Sequence, residues 1–319
     1  MAPLLSVHDL RVRLGDAQVV NGLSYEIDAG ETVAIVGESG SGKTMSALAM
    51  LGLIPRPPAV VSGEVHFDGA ELVSATPAHL RAVRGAGMAI VFQDPMTSLN
   101  PVLTIGRQLT EGMEVHLGLS GRAARERAVE LLEMVGIPDP RHRLDEYPHR
   151  LSGGMRQRVM IAIGLAAHPR VLIADEATTA LDVTIQAQII ELLGRLQQEL
   201  DMALIWITHD LGVVAGIADR VLVMYAGRVV EHGTVDAVFD APQHPYTRGL
   251  LRSIPVLGQH ADALPSIPGT PPDPENLPPG CPFWPRCEVR ADDRCRGEVP
   301  PLREVAAGHL VATFEKERV

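Results

Sequence analysis

The stretch GESGSGKT has the residue types and the spacing needed to bind phosphate groups. It fits the pattern G-x-x-x-x-G-K-[ST] in full. Glycines let backbone N–H groups approach a β-phosphate, and a helix N-terminus favours the bound anion. Lys43 supplies positive charge to the β- and γ-phosphate oxygens, and Thr44 offers its hydroxyl to Mg²⁺. We therefore expect a nucleoside triphosphate to bind along this loop, formed by Gly37, Glu38, Ser39, Gly40, Ser41, Gly42, Lys43 and Thr44.

A second stretch, RVLIADEATTALD (170–182), contains an apolar strand that ends in two carboxylates. A carboxylate at the carboxyl end of a strand beside a phosphate loop can hold Mg²⁺, and Asp175 takes this position. The next residue, Glu176, is placed to polarise a water molecule that attacks the γ-phosphate. Such a strand is weak evidence alone. Together with the phosphate loop it predicts hydrolysis of the nucleotide.

The third stretch, LSGGMRQR (151–158), predicts another anion site. Ser152 can cap a helix that runs to about His168 and is stopped by Pro169, and two glycines leave the backbone open at its start. One nucleotide does not need two such sites in one chain. The sequence therefore indicates that this stretch of one subunit closes over a nucleotide held by its partner, although an ordinary glycine-rich cap also fits these residues.

These stretches must be positioned by apolar, β-branched runs that alternate with helical patterns. The runs predict buried strands at 31–37, 88–92, 170–175 and 204–209, and two more strands within 220–233. The insert at 97–150 has helical periodicity, and a Ser start signal with a closing Gly predicts a helix over 120–136. We therefore expect an α/β body with a parallel sheet that is interrupted by a helical subdomain.

Composition and charge narrow the class of protein. The 319 residues are 46% hydrophobic and 21% charged, which is typical of a soluble globular protein, and the net charge of −11 argues against a general nucleic-acid surface. The N-terminus lacks the apolar region of a signal peptide, and no run of about 18 apolar residues predicts a membrane span. The cysteines do not form a disulfide framework, so we expect a reducing, cytoplasmic environment.

The composition changes near residue 241. Beyond it, IPGTPPDPENLPPG (267–280) is too rich in proline to form a regular element. We therefore place a nucleotide-binding domain at 1–240, with its helical subdomain at about 97–165, and a proline-rich extension at 241–319.

Together these motifs resemble the nucleotide-binding subunit of an ABC transporter over about residues 4–240. Gln93, in VFQDP, matches the Q-loop glutamine that contacts Mg²⁺ and the attacking water. Asp182, in ALD, matches the D-loop, and His209, in WITHD, matches the switch histidine that touches the γ-phosphate. The segments FQDPMTSLNP, DVTIQAQI, HPYTRGLLRSIP and GCPFWPRC resemble the oligopeptide, dipeptide and nickel importer branch, which extends the resemblance to almost the whole chain.

The resemblance implies a P-loop NTPase cassette of the α/β class. The expected parts are a mainly parallel core sheet, an N-terminal antiparallel β subdomain, a helical signature subdomain and a loop-rich C-terminal extension. Mg²⁺ would be held by Thr44, Gln93 and Asp175, and catalysis would involve Glu176, His209 and Gln93. The signature residues, which would act on the ATP of a partner, are Ser152, Gly153, Gly154 and Gln157, and the D-loop residue is Asp182.

Two positions depart from the family pattern. Leu14 stands in RVRLG, where the family usually has an aromatic residue that stacks on adenine, so we expect weaker or less base-selective nucleotide binding. Ala177 stands where proline usually follows the catalytic glutamate, and we expect a mild effect.

The resemblance further implies an ATPase on the cytoplasmic face of the cell membrane that powers peptide import. Its partners would be two integral membrane permeases, a second and non-identical ATPase subunit, and an extracytoplasmic substrate-binding protein; no nucleic acid is expected. Nickel or another small solute is an alternative cargo, and a catalytically weak regulatory subunit is an alternative role. An ABC ATPase acting on DNA or ribosomes is disfavoured, because no coiled-coil insertion, zinc module or second cassette is visible.

Three cysteines lie close together in the extension, at Cys281, Cys287 and Cys295. The spacing is wider than that of zinc pairs, and iron–sulfur clusters normally need four thiolates. Members of the resembled branch can carry a fourth cysteine and a [4Fe–4S] cluster, but this chain has Thr313 at that position. His309 could replace a cysteine in principle. We therefore favour three reduced cysteines without a cluster.

Overall fold

The computed structural model describes residues 2–178, 182–254, 266–290 and 292–314. The strands are β1 Leu5–Leu14, β2 Ala17–Ile27, β3 Thr32–Val36, β4 Ala59–Phe67, β5 Ala70–Glu71, β6 Met88–Val91, β7 Val171–Asp175, β8 Ala203–Thr208, β9 Arg220–Tyr225, β10 Arg228–Thr234, β11 Leu302–Ala306 and β12 His309–Ala312. The helices are α1 Lys43–Met50, α2 Pro77–Val83, α3 Pro95–Ser98, α4 Ile105–Leu117, α5 Gly121–Met134, α6 Pro140–Arg143, α7 Gly153–Leu165, α8 Val183–Leu200, α9 Leu211–Val214, α10 Val235–Asp240 and α11 Pro245–Arg252. Three short 3-10 helices, at Pro148–Arg150, Trp284–Arg286 and Asp293–Arg296, complete the elements of the described residues.

The chain divides into two compact units. Unit 1 contains residues 1–27, 32–74 and 206–319, and unit 2 contains residues 28–31 and 75–205. The predicted boundary near residue 240 follows the change in composition, whereas this division follows contacts, and it groups the extension with the first strands.

Unit 1 contains an antiparallel sheet and part of a mixed sheet. The antiparallel sheet has the order β2-β1-β4-β5, and the mixed sheet runs β11-β12-β10-β9-β3 within this unit. Strands β3 and β9 pair in parallel, whereas β10 is antiparallel to both β9 and β12. All five side chains of β3 are buried, as expected for a strand covered on both faces. The predicted N-terminal antiparallel subdomain and the strand pair within 220–233 are confirmed.

The extension shares the apolar core of unit 1. Tyr246, Cys281 and Phe283 pack in one cluster with residues of β3 and β9, such as Val36 and Val223. No helix or strand occurs within residues 267–280, as the prolines predicted. The rest of the extension is more regular than expected, because α11 and the hairpin β11–β12 are formed from residues that were expected to be loop.

Unit 2 contains the parallel pair β6–β7 and the helical insert. The register pairs Met88 with Val171 and Val91 with Ala174. Helices α4, α5 and α7 pack against one another, and the apolar face of α5 buries side chains such as Leu131. The predicted helix at 120–136 is confirmed, although its first turn begins after Ser120 without a side-chain cap. Strand β8 is divided between the units, because unit 1 begins again at Trp206.

Candidate functional site

The predicted phosphate loop lies between β3 and α1 in unit 1. Two of its glycines have no room for a side chain. A Cβ on Gly37 would lie 2.2 Å from the carbonyl oxygen of Met224, and a Cβ on Gly42 would lie 2.3 Å from that of Val19. Gly42 also has φ +97°, which favours glycine, and it caps α1 at the residue before Lys43. Only glycine fits both positions, so the loop can curl tightly around a phosphate.

Lys43 is held inside this loop. Its side chain is almost fully buried, and its Nζ donates hydrogen bonds to the carbonyl oxygens of Gly37, at 2.7 Å, and Glu38, at 2.9 Å. A lysine ammonium, a helix N-terminus and a hydroxyl at Thr44 in the first turn form a donor set that suits a polyphosphate with Mg²⁺. The residues present therefore fit ATP.

A pair of polar side chains lies at the carboxyl end of the parallel strands in unit 2. Because Val91 pairs with Ala174, the residues two positions further on, Gln93 and Glu176, emerge beside each other. Gln93 Nε2 donates a hydrogen bond of 2.9 Å to Glu176 Oε2. Asp175 ends β7 and is buried, with 3% exposed. Glu176 has φ +47°, so the backbone turns sharply where the strand ends.

The signature stretch starts α7 as predicted. Ser152 is the N-cap residue, and its Oγ accepts a hydrogen bond of 3.3 Å from the backbone N–H of Met155. Ser152 and Gly153 are exposed, and a Cβ on Gly153 would meet nothing within 4 Å. Gln157 differs, because it is only 1% exposed. Burial favours a role for Gln157 in the packing of α7, whereas Ser152 and Gly153 are accessible to a partner.

Three further predicted residues lie at the ends of elements. Asp182 caps α8 by accepting a hydrogen bond of 2.9 Å from the backbone N–H of Ile185, and the two preceding motif residues, 180 and 181, are outside the described residues. His209 follows β8 in unit 1 and is exposed. Leu14 is the last residue of β1 and is half-buried. Within unit 2 the structure brings Gln93 and Glu176 together, and within unit 1 it forms the predicted phosphate loop.

The three cysteines line one cavity of about 160 Å³, together with Thr313. Burial raises the pKa of Cys281, and burial with the neighbouring Cys281 raises the pKa of Cys295 to about 11. The thiol forms of Cys281 and Cys295 are thus favoured over the thiolates that bind metals.

His309 is not among the residues that line the cysteine cavity, since its Nε2 lies 2.8 Å from Glu231 Oε1 inside the protein. Among the described residues, no group of three or more His, Cys, Asp or Glu is arranged to hold a metal ion. Three thiols and a threonine do not fit a four-thiolate cluster.

The sequence did not reveal two residues that hold the phosphate loop from outside. Arg286 forms an ion pair with Glu38, and Tyr246 accepts a hydrogen bond from the backbone N–H of Glu38. Arg286 and Tyr246 are 248 and 208 residues distant from Glu38 along the chain. The sequence offered little signal for either contact, because the arginine stands beside cysteines that suggested metal chemistry and the tyrosine lies in a segment without a predicted role.

Within the described ranges, no helix is both long enough and apolar enough to cross a bilayer.

Comparison with known proteins places these motifs in a family. Residues 20–179 match the ABC transporter family model, and residues 230–295 match the model of the oligopeptide/dipeptide transporter C-terminal region. The chain is 52% identical over 309 residues to the dipeptide transport ATP-binding protein DppD of Escherichia coli, which covers 96% of this chain and 94% of that protein. It is 51% identical over 317 residues to the oligopeptide transport ATP-binding protein OppD of Bacillus subtilis, covering 98% and 88%.

Solved structures of ABC transporter cassettes resemble this chain as well. A cbiO1 protein of Clostridium perfringens, part of the ABC transporter complex cbiONQ, has a TM-score of 0.64 and 32% identity over 76% of this chain and 92% of that chain. The ATP-binding cassette MJ0796, solved as a dimer in a post-hydrolysis state with ADP and Pi, has a TM-score of 0.64 and 28% identity over 72% and 98%. The protein therefore belongs to the ABC transporter family as an ATP-binding, ATP-hydrolysing cassette, and carries the C-terminal region of the oligopeptide/dipeptide transporters.

Proposed function

We propose that this chain hydrolyses ATP to power the import of di- and oligopeptides through partner permeases. The observation that carries the hydrolytic role is the hydrogen bond between Gln93 and Glu176 at the end of two parallel strands. Peptides are the favoured cargo because DppD and OppD, which resemble almost the whole chain, are named for dipeptide and oligopeptide transport.

In the proposed reaction, ATP lies along the phosphate loop. Lys43 exchanges its present acceptors, the carbonyl oxygens of Gly37 and Glu38, for oxygens of the β- and γ-phosphates. Thr44, Gln93 and Asp175 would hold Mg²⁺, which neutralises phosphate charge. Leu14 offers an apolar surface to the base, weaker than an aromatic ring.

The proposed general base is Glu176. Its carboxylate accepts a proton as water attacks the γ-phosphorus, the bond to the bridging oxygen of ADP breaks, and phosphate leaves. Gln93 orients both the carboxylate and the water, and His209 contacts the γ-phosphate. In a closed dimer, the exposed Ser152 and Gly153 of one subunit, with Gly154, cap the ATP of the other, as the resemblance implies.

We further propose that permeases dock on unit 2 beyond Gln93. Along this segment large apolar side chains are exposed, with 63% of Met96 and 76% of Val102 accessible. Apolar surface of this kind marks a protein interaction site where the exposed side chains form one patch. Docking there would place the chain at the cytoplasmic face of the membrane, beside two permeases and a second ATPase subunit. The substrate-binding protein would act from the opposite face, through the complex. Differential affinity for ATP in the closed and open states then drives the permeases between conformations.

Uptake in whole cells tests the cargo. The test uses a leucine-requiring strain in which the gene for this protein carries Lys43→Ala. This strain is expected to stop growing on leucine-containing di- and tripeptides and to keep growing on free leucine. Lys316→Ala is a matched control, since these are the two lysines of the sequence. Normal peptide uptake with loss of nickel uptake would overturn the peptide proposal in favour of the metal.

The purified complex tests the catalytic role. We expect ATP hydrolysis by the complex that falls to background with Lys43→Ala. If this variant of the complex hydrolyses ATP at the normal rate, a partner subunit does the work, and the regulatory alternative is correct.

A further inference from the structure

The C-terminal extension reaches the phosphate loop through one ion pair. Arg286, in the 3-10 helix Trp284–Arg286, is buried, with 5% of its side chain exposed. Its Nη1 lies 2.6 Å from Glu38 Oε2, and its Nη2 lies 2.9 Å from Glu38 Oε1. Two parallel N–H···O bonds between a guanidinium and a carboxylate fix both distance and orientation. Glu38 is the second residue of the phosphate loop, so this contact holds the loop itself.

Arg286 is in turn fixed by its own surroundings. Its Nε donates to the carbonyl oxygen of Pro268 at 2.9 Å, and its Nη1 donates to the hydroxyl of Tyr225 at 3.2 Å. The guanidinium carbon lies 5.7 Å from the centre of the Tyr225 ring. An arginine with this many contacts cannot follow a moving carboxylate, so Glu38 must adapt to Arg286.

A second contact holds the backbone of the same residue. The hydroxyl of Tyr246, on α11, accepts a hydrogen bond of 2.9 Å from the Glu38 backbone N–H. Tyr246 is fully buried and packs against Tyr225 and Phe283, with ring centres 4.6 and 5.4 Å apart. The carbonyl oxygen of Glu38 accepts from Lys43 Nζ. One residue therefore connects the extension to the lysine that is proposed to contact phosphate.

We propose that Arg286 and Tyr246 are positioning residues through which the C-terminal extension sets the affinity of the phosphate loop for ATP. The inference rests on the proposed nucleotide site. An unpaired Glu38 carboxylate beside a triphosphate would repel it, and Arg286 removes this repulsion by pairing. Fixing the loop in one conformation also lowers the entropy lost when ATP binds.

The expected signature is a change in binding without a matching change in chemistry. Neither Arg286 nor Tyr246 is proposed to touch the reacting atoms, so Arg286→Ala should raise the KM for ATP about tenfold and change kcat less than about threefold. Arg286→Lys keeps the charge and loses the two-pronged geometry, so its KM should lie between those of the wild type and the alanine variant.

A double-mutant cycle with Glu38→Gln tests the coupling directly. In that background the carboxylate no longer needs a partner, so Arg286→Ala should raise the KM by less than about twofold. Arg294→Ala is the matched control. Like Arg286, Arg294 is an arginine of the extension that forms an ion pair, but its partner is Asp292 at the surface rather than a residue of the phosphate loop. This variant should leave the KM unchanged. All variants are assayed in the complete transporter complex, together with Kd for a fluorescent ATP analogue.

Tyr246→Phe provides a test that does not depend on the folding of Arg286→Ala. It preserves the buried ring and removes only the acceptor for the Glu38 N–H, and we expect the KM for ATP to rise about threefold. Unchanged KM values in Arg286→Ala and Tyr246→Phe, or an equal effect of Arg286→Ala with and without Glu38→Gln, would overturn the inference. Normal ATP binding by Lys43→Ala would instead refute the proposed nucleotide site.

Discussion

Gln93 donates a hydrogen bond of 2.9 Å to the carboxylate of Glu176, and the register of β6 and β7 accounts for the contact. Parallel strands end at the same edge of a sheet, so side chains that follow them meet without help from a long loop. The amide of Gln93 holds one carboxylate oxygen in place. In the proposed reaction, this carboxylate acts on the attacking water molecule.

The first prediction concerns the carboxylate. Glu176→Gln should bind ATP normally and reduce the turnover number by about 100-fold or more, because the amide cannot accept the proton of the attacking water. Equilibrium binding of ATP and steady-state phosphate release measure the two effects. Glu191→Gln, an exposed glutamate on α8, is the control and should retain full activity. Unchanged hydrolysis in Glu176→Gln would refute the assigned role.

The second prediction concerns the end of β1. Leu14 pairs with Ala17 and Ala59 on the neighbouring strands, and an aromatic residue is compatible with a half-buried strand position. Leu14→Phe should therefore tighten ATP binding by up to about tenfold, since a ring can stack on adenine. Calorimetric titration with ATP and GTP would show both the affinity and the base selectivity. If the affinity for ATP does not increase, the adenine ring does not contact this position.

The third prediction compares two glycines of the phosphate loop in the absence of nucleotide. A Cβ on Gly42 would meet the carbonyl oxygen of Val19, whereas a Cβ on Gly40, with φ +79°, would meet nothing within 4 Å. Gly40→Ala should lower the free energy of unfolding by only about 1–2 kcal/mol, the cost of a left-handed alanine. Gly42→Ala should lower the free energy of unfolding further, because the backbone at Val19 must move to make room for the new Cβ.

Urea unfolding of both glycine variants, without ATP, gives the comparison. Equal losses would mean that Val19 yields easily, and that the shape of the loop does not depend on this contact.

Much of the fold of the nucleotide-binding domain could be predicted, because the sequence features that indicate it involve residues close together in the chain. The apolar runs of β3 and β7, the cap at Ser152 and the carboxylate at Asp175 each depend on neighbouring residues, and the structure confirms the strands and the cap. The roles of the site residues stay predictions. Leu14 and Gln157 show why: a motif gives the position of a residue but not its burial.

The contacts of the extension could not be predicted, because they join distant segments. Nothing in the neighbourhood of Glu38 indicates that its partner is Arg286, and proline-rich sequence suggests loop, which hid the pairing of β12 with β10. Three clustered cysteines drew attention to a metal instead. The contact of that segment with the phosphate loop is made instead by Arg286, one position before Cys287.

The fourth prediction concerns pH. His244 is buried and caps α11 by accepting a hydrogen bond at Nδ1 from the backbone N–H of Tyr246. Burial, and to a lesser extent the nearby Arg248, lowers the pKa of His244 from 6.5 to about 3. The unfolded chain therefore binds a proton at this residue below pH 6.5, and the folded chain does not. Stability is fully present above pH 6.5 and is lost progressively as the pH falls toward 3.

The matching experiment uses His244→Asn, since asparagine keeps a capping acceptor and removes the titration. Between pH 7.5 and pH 5.5 the wild type should lose about 1.4 kcal/mol more unfolding free energy than the variant. His79→Asn, at an exposed histidine, should behave like the wild type. Urea unfolding at each pH gives the free energy of unfolding of the three proteins. Equal losses of this free energy in all three would show that His244 does not set the acid sensitivity.

The pairing of β12 with β10 has a consequence for biosynthesis. Residues 309–312 leave the ribosome long after β10, yet they cover an edge of this strand, which carries Glu231 and His232. Arg286 is also made late, long after Glu38. A chain released too early would therefore present an open strand edge, which invites pairing with other chains, and a loop whose acid is unpaired. A chain that ends before Arg286 would also lack the proposed contact with Glu38, so we expect such a fragment to bind ATP more weakly than a chain that contains it.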